Sequence, residues 1–311
     1  MLSDTTWAWI GFHVFVGVLL WLDLKVIHAK SKTFSLRSAL GWSAFWIGLG
    51  LCFNWGVWTI KGPEAGTQFL TAYLLEKSLS VDNLFVFLLI FRYFKVPSAL
   101  QHKVLFWGIL GALIFRATFI LGGLWLIQQF SFLTYILGAL LIWGGLRLFR
   151  QQEEVFDPGN NKMLRRLRQI MPVLGSFHGD RFFLRRQGIL YATPLFIALI
   201  SIETSDIIFA LDSIPAVLAV SQDPFVVYSS NIFAILGLRA LFFALAGLLE
   251  RFHYLDYGLG IVLAFVGIKL ILSGWLHISA TFTLALVTIV LGGTALLSWR
   301  FPPKEEEEVS P

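Results

Sequence analysis

The chain has 311 residues, of which 57% are hydrophobic and 14% are charged, and its formal net charge is +5. Soluble domains contain about 25% charged residues, so this composition excludes an ordinary soluble domain and predicts an all-α polytopic membrane protein. The basic residues stand in short segments between apolar runs, which indicates membrane topology rather than a nucleic-acid partner. A single cysteine, Cys52, excludes an intrachain disulfide.

Apolar runs long enough to cross a bilayer recur along the chain and predict about nine transmembrane helices. We place them at residues 7–22, 39–60, 67–91, 104–126, 132–149, 188–214, 226–248, 255–273 and 279–299. Lysine and arginine concentrate in the odd-numbered loops between these runs. We expect the protein to lie in the inner membrane of the cell. By the positive-inside rule, its amino terminus should be outside and its carboxyl terminus in the cytoplasm.

The chain contains an internal repeat. Two six-residue stretches match at four positions, and the glycine and basic landmarks that follow them keep the same separation of 122 residues. The matched landmarks are Leu133 with Leu255, Gly138 with Gly260, Gly145 with Gly267, Arg147 with Lys269, and, at nearly the same separation, Asp82 with Asp206 and Arg116 with Arg239. Spans 3–5 therefore correspond to spans 6–8. Because three is an odd number, the two copies enter the membrane in opposite directions, which is an inverted repeat.

Five segments follow from this organisation. Residues 1–66 hold two amino-terminal transmembrane helices, and residues 67–149 are the first repeat half. Residues 150–187 form a basic cytoplasmic loop, for which we expect anchoring at the membrane surface, with anionic lipid or a regulator as the alternative role. Residues 188–273 are the second repeat half, and residues 274–311 hold the ninth helix and an acidic carboxyl-terminal tail.

The third span carries ionisable side chains where a bilayer makes them costly, at about 2.5–3.5 kcal/mol for one acidic residue near the centre. Glu76, Ser80 and Asn83 fall at positions i, i+4 and i+7, which places them on one face of a helix with Asp82 beside them. An acidic stripe inside a span predicts a functional site.

The sixth span carries a second acidic stretch. Glu203 and Asp206 are three residues apart, and Asp212 follows shortly before Ser213 and Pro215. Since proline has no N–H and tends to kink a helix, we expect backbone carbonyl groups to be freed near Asp212.

Carboxylate, amide and hydroxyl oxygens without a Cys or His pair are typical ligands of hard or borderline divalent cations. Ligand type does not choose among Mn²⁺, Mg²⁺ and Ca²⁺. Carboxylates that converge inside a membrane repel one another when empty, so protons or a dication must neutralise them. Proton-coupled exchange of a transported cation, with no permanently bound cofactor, is the resulting hypothesis. The candidate ligands are Glu76, Asp82, Asn83, Glu203, Asp206 and Asp212.

A structural alternative is that the acidic residues hold the bundle together through ion pairs. The intramembrane cations that could serve are Lys77, Arg116 and Arg239, which we interpret as ion-pair partners or gates rather than ligands. Glycine pairs such as Gly108 and Gly111 are typical of close helix packing.

The two acidic stretches, Glu76-Lys-Ser-Leu-Ser-Val-Asp-Asn and Glu203-Thr-Ser-Asp-Ile-Ile-Phe-Ala-Leu-Asp-Ser-Ile-Pro-Ala, resemble the two signature segments of the TerC family, and the chain is most similar to its Alx branch. The likeness extends through Asp223-Pro-Phe, Ser230 to Arg239 and Tyr257-Gly-Leu-Gly. It implies a protein of the wider LysE-type transporter group with Mn²⁺ efflux as its activity. It also implies a metal-handling role for Asp82, Glu203, Asp206 and Asp212, with Glu76 and Asn83 in the same signature.

Two other classes compete with a secondary transporter. A membrane scaffold that assists assembly or metalation, and that is associated with tellurium resistance, is the first alternative. An intramembrane enzyme is the second, but the sequence has no His-Glu-x-x-His or Gly-x-Ser-x-Gly motif, so we expect no enzymatic activity. No arginine-rich anion site is evident among the spans, so direct binding of tellurite is not predicted. The expected partners are a divalent cation and membrane lipid; the sequence predicts no oligomeric state.

Overall fold

Helices make up nearly all of the secondary structure. The computed structural model describes residues 4–28, 36–130, 132–149, 171–245, 254–273, 275–276 and 278–301. Most of the predicted basic loop and the acidic tail lie outside these residues, as do the side chains of Asp82 and Asp212. The described elements are α1 (Asp4–His28), α2 (Leu36–Lys61), α3 (Pro63–Tyr93), α4 (Ser98–Gln129), α5 (Leu133–Leu148), β1 (Phe183–Arg186), β2 (Ile189–Ala192), α6 (Pro194–Val220), α7 (Pro224–Ile235), α8 (Leu238–Leu245), α9 (Leu255–Leu272) and α10 (Ala280–Arg300).

Each predicted span overlaps a helix or, for the seventh, a pair of helices. Four described helical segments are long and apolar enough to cross a membrane: α2, α4, α7 together with α8, and α10. The two parts of α6 are a fifth candidate, and shorter apolar helices occur within α1, α5 and α9. The protein is therefore a helical multi-pass membrane protein.

The surface of the described helices supports this conclusion. Large apolar side chains are widely exposed, and exposed tryptophans lie near the ends of several helices, where Trp7, Trp55, Trp143 and Trp299 are each at least 60% exposed. Tryptophan at helix ends is typical of the membrane interface, where the indole ring contacts both lipid and water.

Helices α3, α4, α6 and α7 pack together at the centre, with the other helices around them. Of the four candidate spans, the one formed by α7 and α8 is the most buried, at 83% of its apolar segment, against 17% for α10. This arrangement brings the two acidic stretches, on α3 and α6, side by side.

Two local features differ from the predicted spans. The predicted sixth span, 188–214, begins with a strand: residues 183–192 form an antiparallel hairpin, which turns through Gln187 and Gly188 at positive φ, and α6 starts only at Pro194. The second strand, Ile189–Ala192, is as apolar as the helix that follows, so the two formed one apolar run in the sequence, while the first strand, with Arg185 and Arg186, fell in the predicted basic loop. A further difference is a break in the predicted span 226–248 at Gly237, where φ is +83°.

Helices α5 and α9 cross at two pairs of glycines. A Cβ on Gly138 would lie 2.9 Å from the carbonyl oxygen of Gly267, and a Cβ on Gly145 would lie 2.5 Å from that of Gly260. The pairing is antiparallel and reciprocal. Backbone contact of this kind needs residues without side chains on both helices.

Two ion pairs join loops that the topology predicts to be on the same side. Lys61, after the second span, pairs with Asp223, after the sixth. At the other end, Lys103 pairs with Asp180 at 2.8 Å. The first pair links two even-numbered loops and the second links two odd-numbered loops. This agrees with a chain that crosses the membrane once between successive loops.

Candidate functional site

The centre of the bundle holds an ion-paired cluster around Arg116 of α4. Its Nη1 pairs with Glu76 Oε1 of α3, while Nη2 lies 3.1 Å from Asp206 Oδ1 of α6. A longer bond of 3.4 Å joins Arg116 Nε to Asp206 Oδ2. All three residues are at most 3% exposed, so one guanidinium bridges two buried carboxylates from different helices. We call Glu76, Arg116 and Asp206 the central triad.

Neighbouring polar groups hold the triad in place. Asn231 Nδ2 of α7 donates to Glu76 Oε2 at 3.1 Å, and Arg116 Nη1 donates to Ser213 Oγ at 3.5 Å. Both neighbours are buried. Four helices, α3, α4, α6 and α7, thus contribute one or more polar side chains to the same interior network.

Glu203 lies beside the triad, against Gly111 of α4. A Cβ on Gly111 would overlap the carboxyl group of Glu203, so the glycine provides the space in which that carboxyl group sits. Gly108, by comparison, packs closely against an apolar side chain, since a Cβ there would lie 3.0 Å from Ile202. The prediction that both glycines serve helix packing is therefore incomplete, because one of them accommodates an acidic group.

Three buried oxygens in this region have no hydrogen-bond donor among the described residues: Glu76 Oε1, which has its ion pair with Arg116, and Glu203 Oε2 and Asn231 Oδ1. A buried oxygen without a donor is costly, by about 1–3 kcal/mol. A proton, a cation or an ordered water would satisfy such atoms, and all three fit a site with several carboxyl groups.

Among the described residues, acidic groups outnumber cations around the triad. Glu76 and Asp206 pair with the guanidinium of Arg116, and a third carboxyl group, that of Glu203, lies one helical turn before Asp206 on α6. The ammonium of Lys77 is directed elsewhere: its Nζ donates to the backbone carbonyls of Ala234 at 3.0 Å and Leu236 at 3.5 Å, beside the break between α7 and α8.

Arg239 also lies apart from the acidic stretches. It is 4% exposed and pairs with Asp23 at the end of α1, where it also donates to the backbone carbonyl at 3.1 Å. The sequence interpretation was that Arg239 is an ion-pair partner or a gate; in the structure its ion-pair partner is Asp23 of the first helix. The two arginines matched by the repeat thus have different partners.

The polar stripe on α3 is buried as its spacing predicts, since Glu76, Ser80 and Asn83 are each at most 2% exposed. Asp82 is on α3 and Asp212 is on α6, but their side chains lie outside the described part of the chain. Asp206 was matched with Asp82 by sequence, whereas in the structure it joins Glu76 through Arg116. The spacing of six residues from Glu76 to Asp82 recurs from Asp206 to Asp212, which is consistent with this pairing.

Helix α6 bends where the proline predicted a disturbance. The axes of Pro194–Ala210 and Ser213–Val220 differ by 41°, and Pro215 lies inside the helix. The missing N–H of Pro215 leaves one carbonyl in the preceding turn without its helical partner. The bend therefore falls between Asp206 and Ser213, two residues that contact Arg116.

No group of three or more Asp, Glu, His or Cys side chains with metal-binding geometry occurs among the described residues. The six predicted ligands thus stay a prediction, because two of their side chains are not described. Sequence reasoning missed Asn231 and the role of Gly111. The signal for Asn231 was its place beside Ser229 and Ser230 in an otherwise apolar run.

These features define a class of protein: a helical multi-pass membrane protein with an ion-paired acidic cluster in its interior. The family model described as "Integral membrane protein TerC family" matches residues 61–306. The chain belongs to the TerC family.

Relatives with similar sequences cover nearly the whole chain. An uncharacterized membrane protein of Myxococcus xanthus is 47% identical over 93% of this chain and 91% of its own length. The protein of Salmonella typhi named "Putative membrane-bound redox modulator Alx" is 43% identical over 94% of each chain. Its namesake in Escherichia coli K12 is 42% identical, again over 94% of each chain. No solved structure shows a significant match.

Proposed function

We propose that this protein is a secondary transporter that exports a divalent cation, with Mn²⁺ as the expected cargo. The observation that carries the proposal is a cluster of three acidic side chains from two helices, the buried Glu76 and Asp206 and the partly buried Glu203, of which two pair with one guanidinium. Structural ion pairs alone need no excess of acidic groups, whereas a site for a dication does.

The chemistry of the cluster favours a hard or borderline cation. Its buried acceptors that receive no hydrogen bond from the described residues include a carboxyl and an amide oxygen, Glu203 Oε2 and Asn231 Oδ1. Oxygen ligands suit Mn²⁺, Mg²⁺ and Ca²⁺. Asp82 and Asp212, on the same two helices, are the further ligands that the proposal requires.

The architecture also supports transport. Alternating access requires two similar halves that move against one another around a central site. The reciprocal contacts of Gly138 with Gly267 and Gly145 with Gly260 are those that a pseudo-twofold axis between antiparallel halves produces. We extend the proposal to an inverted repeat, an inner-membrane location with the amino terminus outside, and coupling to protons.

Flux measurements with the purified protein in sealed vesicles test the proposal. We expect uptake of Mn²⁺ by the wild type, with Mg²⁺ and Ca²⁺ as competitors, and stimulation by an opposing proton gradient. Asp206→Asn, Asp82→Asn and Glu203→Gln should each lower the rate at least about tenfold, since each removes a negative charge that the proposed site uses to bind the cargo or its counter-proton. Asp180→Asn, in a loop, is the matched control and should transport normally. Wild-type rates in all three site variants would exclude this site.

The name of the Alx relatives suggests a second candidate function, a redox role, and this role can be tested directly in this protein. Cys52 is its one cysteine, and it is exposed on α2, so thiol chemistry within one chain cannot form a disulfide. We expect Cys52→Ser to transport like the wild type under oxidising and reducing conditions. If Cys52→Ser lost activity while the variants of the acidic cluster kept it, thiol chemistry would be favoured over transport.

A further inference from the structure

In the central triad, the guanidinium of Arg116 contacts both carboxylates at once. The guanidinium presents one edge to each of two carboxylates, Nη1 to Glu76 and Nη2 with Nε to Asp206. Arginine is suited to this because its planar group donates several hydrogen bonds in fixed directions. Its other contact, to Ser213 Oγ at 3.5 Å, is long, so the two carboxylates provide most of the attraction.

The same two carboxylates are the described acidic groups that α3 and α6 present to each other. A dication between these helices would need their oxygens, and those oxygens are engaged by the guanidinium. Two cations cannot share them without strong repulsion, because charges separated by a few ångströms in a weakly polar interior interact strongly. Occupation by Arg116 and occupation by a dication therefore exclude one another.

Asn231 fits this interpretation. Its Nδ2 holds Glu76 Oε2, which leaves Oε1 directed to Arg116, while its own Oδ1 accepts no hydrogen bond from the described residues. The carboxylate is thus oriented independently of the guanidinium. It would keep its position if the arginine moved away.

We propose that Arg116 is a tethered counter-cation: it neutralises Glu76 and Asp206 when the transport site is empty, and the transported dication binds by displacing it. This inference rests on the proposed function. Arg116 is then the residue that competes with the dication for the two carboxylates. The return of the guanidinium would assist release of the cargo, so an arginine in the site weakens binding and speeds turnover.

The arginine matched by the repeat provides a control of the same type. Arg239 is equally buried and ion-paired, but its partner is Asp23, outside the cluster. A variant at Arg239 therefore measures the general effect of losing a buried arginine, without the effect of removing a competitor for the site.

Binding of MnCl₂ to the purified full-length protein in lipid nanodiscs, measured by calorimetry, tests the inference, with flux measured on the same variants in vesicles. We expect Arg116→Gln to lower the dissociation constant for Mn²⁺ at least about tenfold and to slow turnover, because the competitor is lost and release is no longer assisted. Arg239→Gln should leave the dissociation constant within about twofold of the wild type. Arg116→Ala should bind Mn²⁺ tightly as well, and added guanidinium ion should compete with Mn²⁺ in that variant only.

Unchanged or weaker Mn²⁺ binding by folded Arg116→Gln, in a preparation whose wild type transports Mn²⁺, would overturn the inference and leave the proposed function intact. If the wild type neither binds nor transports any of the three cations, the proposed function fails first and the inference with it. Should Arg116→Gln not fold, Arg116→Lys decides, because a single ammonium cannot serve both carboxylates in the same geometry. Binding at least about threefold tighter than wild type supports the inference, and wild-type affinity overturns it.

Discussion

Gly111 of α4 lies directly against the carboxyl group of Glu203 on α6, and its missing side chain is the space that the carboxyl group fills. A methyl group there would force the carboxyl group, or the two helices, to move. We expect Gly111→Ala to lower the free energy of unfolding by about 1–3 kcal/mol, as overpacking of a close-packed interior does, and to reduce Mn²⁺ flux.

Gly122, on the same helix, is the matched control for Gly111, since a Cβ there would meet nothing within 4 Å. Gly122→Ala should be neutral or stabilising by up to about 1 kcal/mol, because alanine is the better helix former. Thermal unfolding of the purified proteins in detergent compares the two. Equal stability of both variants would show that the space at Gly111 is not required.

The contact between α5 and α9 makes a second prediction about glycine. Gly145→Ala should destabilise the protein by about 1–3 kcal/mol, because its Cβ would lie 2.5 Å from the carbonyl oxygen of Gly260. The neighbouring Gly144→Ala is an internal control, since a Cβ on Gly144 would contact nothing within 4 Å. Chemical denaturation in mixed micelles should separate the two variants. A Gly144→Ala variant as unstable as Gly145→Ala would argue against backbone contact as the cause.

The hydrogen bond from Asn231 to Glu76 should be required for stability as well as for function. Asn231→Leu leaves Glu76 Oε2 without its donor, and we expect a loss of about 1–3 kcal/mol in the free energy of unfolding. Asn54 on α2 is a buried asparagine far from the cluster in sequence, and its Oδ1 accepts no hydrogen bond from the described residues. Asn54→Leu should therefore cost less. The reverse order of stability in thermal melts would contradict the proposed network.

Asp223 links stability to pH at the start of α7. Burial alone would raise the pKa of Asp223, but the hydrogen bond from Lys61 and the N–H groups of Val226 and Phe225 outweigh it, and the pKa lies below its ordinary value of 3.8. A lowered pKa in the folded state means that the stabilisation is complete above the ordinary pKa and is lost as pH falls through the folded one.

We therefore expect the melting temperature to change little with pH through this group above about pH 5, and to fall below about pH 4. Asp223→Asn should lose part of this acid dependence while it keeps a capping side chain. Asp223→Ala should in addition lose about 1 kcal/mol at neutral pH, because the cap itself is removed. An acid dependence identical in Asp223→Asn and the wild type would assign it to other carboxylates.

Periodicity within one helix made the polar stripe of α3 predictable, because residues three, four and seven apart share a face whatever the rest of the chain does. The disturbance near Pro215 and the nine apolar runs were predictable for a similar reason, because each depends only on residues that are close together in the sequence. Arg116 could be identified as a partner for acidic groups, but not as the bridge between Glu76 and Asp206. That arrangement depends on how α4 sits against α3 and α6, and no local pattern encodes it.

Two misplacements have equally physical reasons. The second strand of the hairpin at 183–192 was merged into a span because Ile189–Ala192 is as apolar as the helix that follows, and only Gln187 and Gly188 signal the turn before it. The break at Gly237 was missed since an isolated glycine inside a helical run is often tolerated. Here the positive φ of Gly237 ends α7, and Lys77 donates to the carbonyl groups that the break exposes.

The packing of α3 and α4 has a consequence for biogenesis. These two helices are consecutive, but both pack extensively against α6 and α7, which the ribosome makes much later. Until those helices are inserted, Glu76 has no Asn231 and Arg116 has no Asp206. Glu76 and Arg116 can pair with each other as soon as α3 and α4 have been made, but the second carboxylate of the central triad and the amide donor to Glu76 come only with α6 and α7. The polar network of the first half can therefore be completed only after the second half has been synthesised.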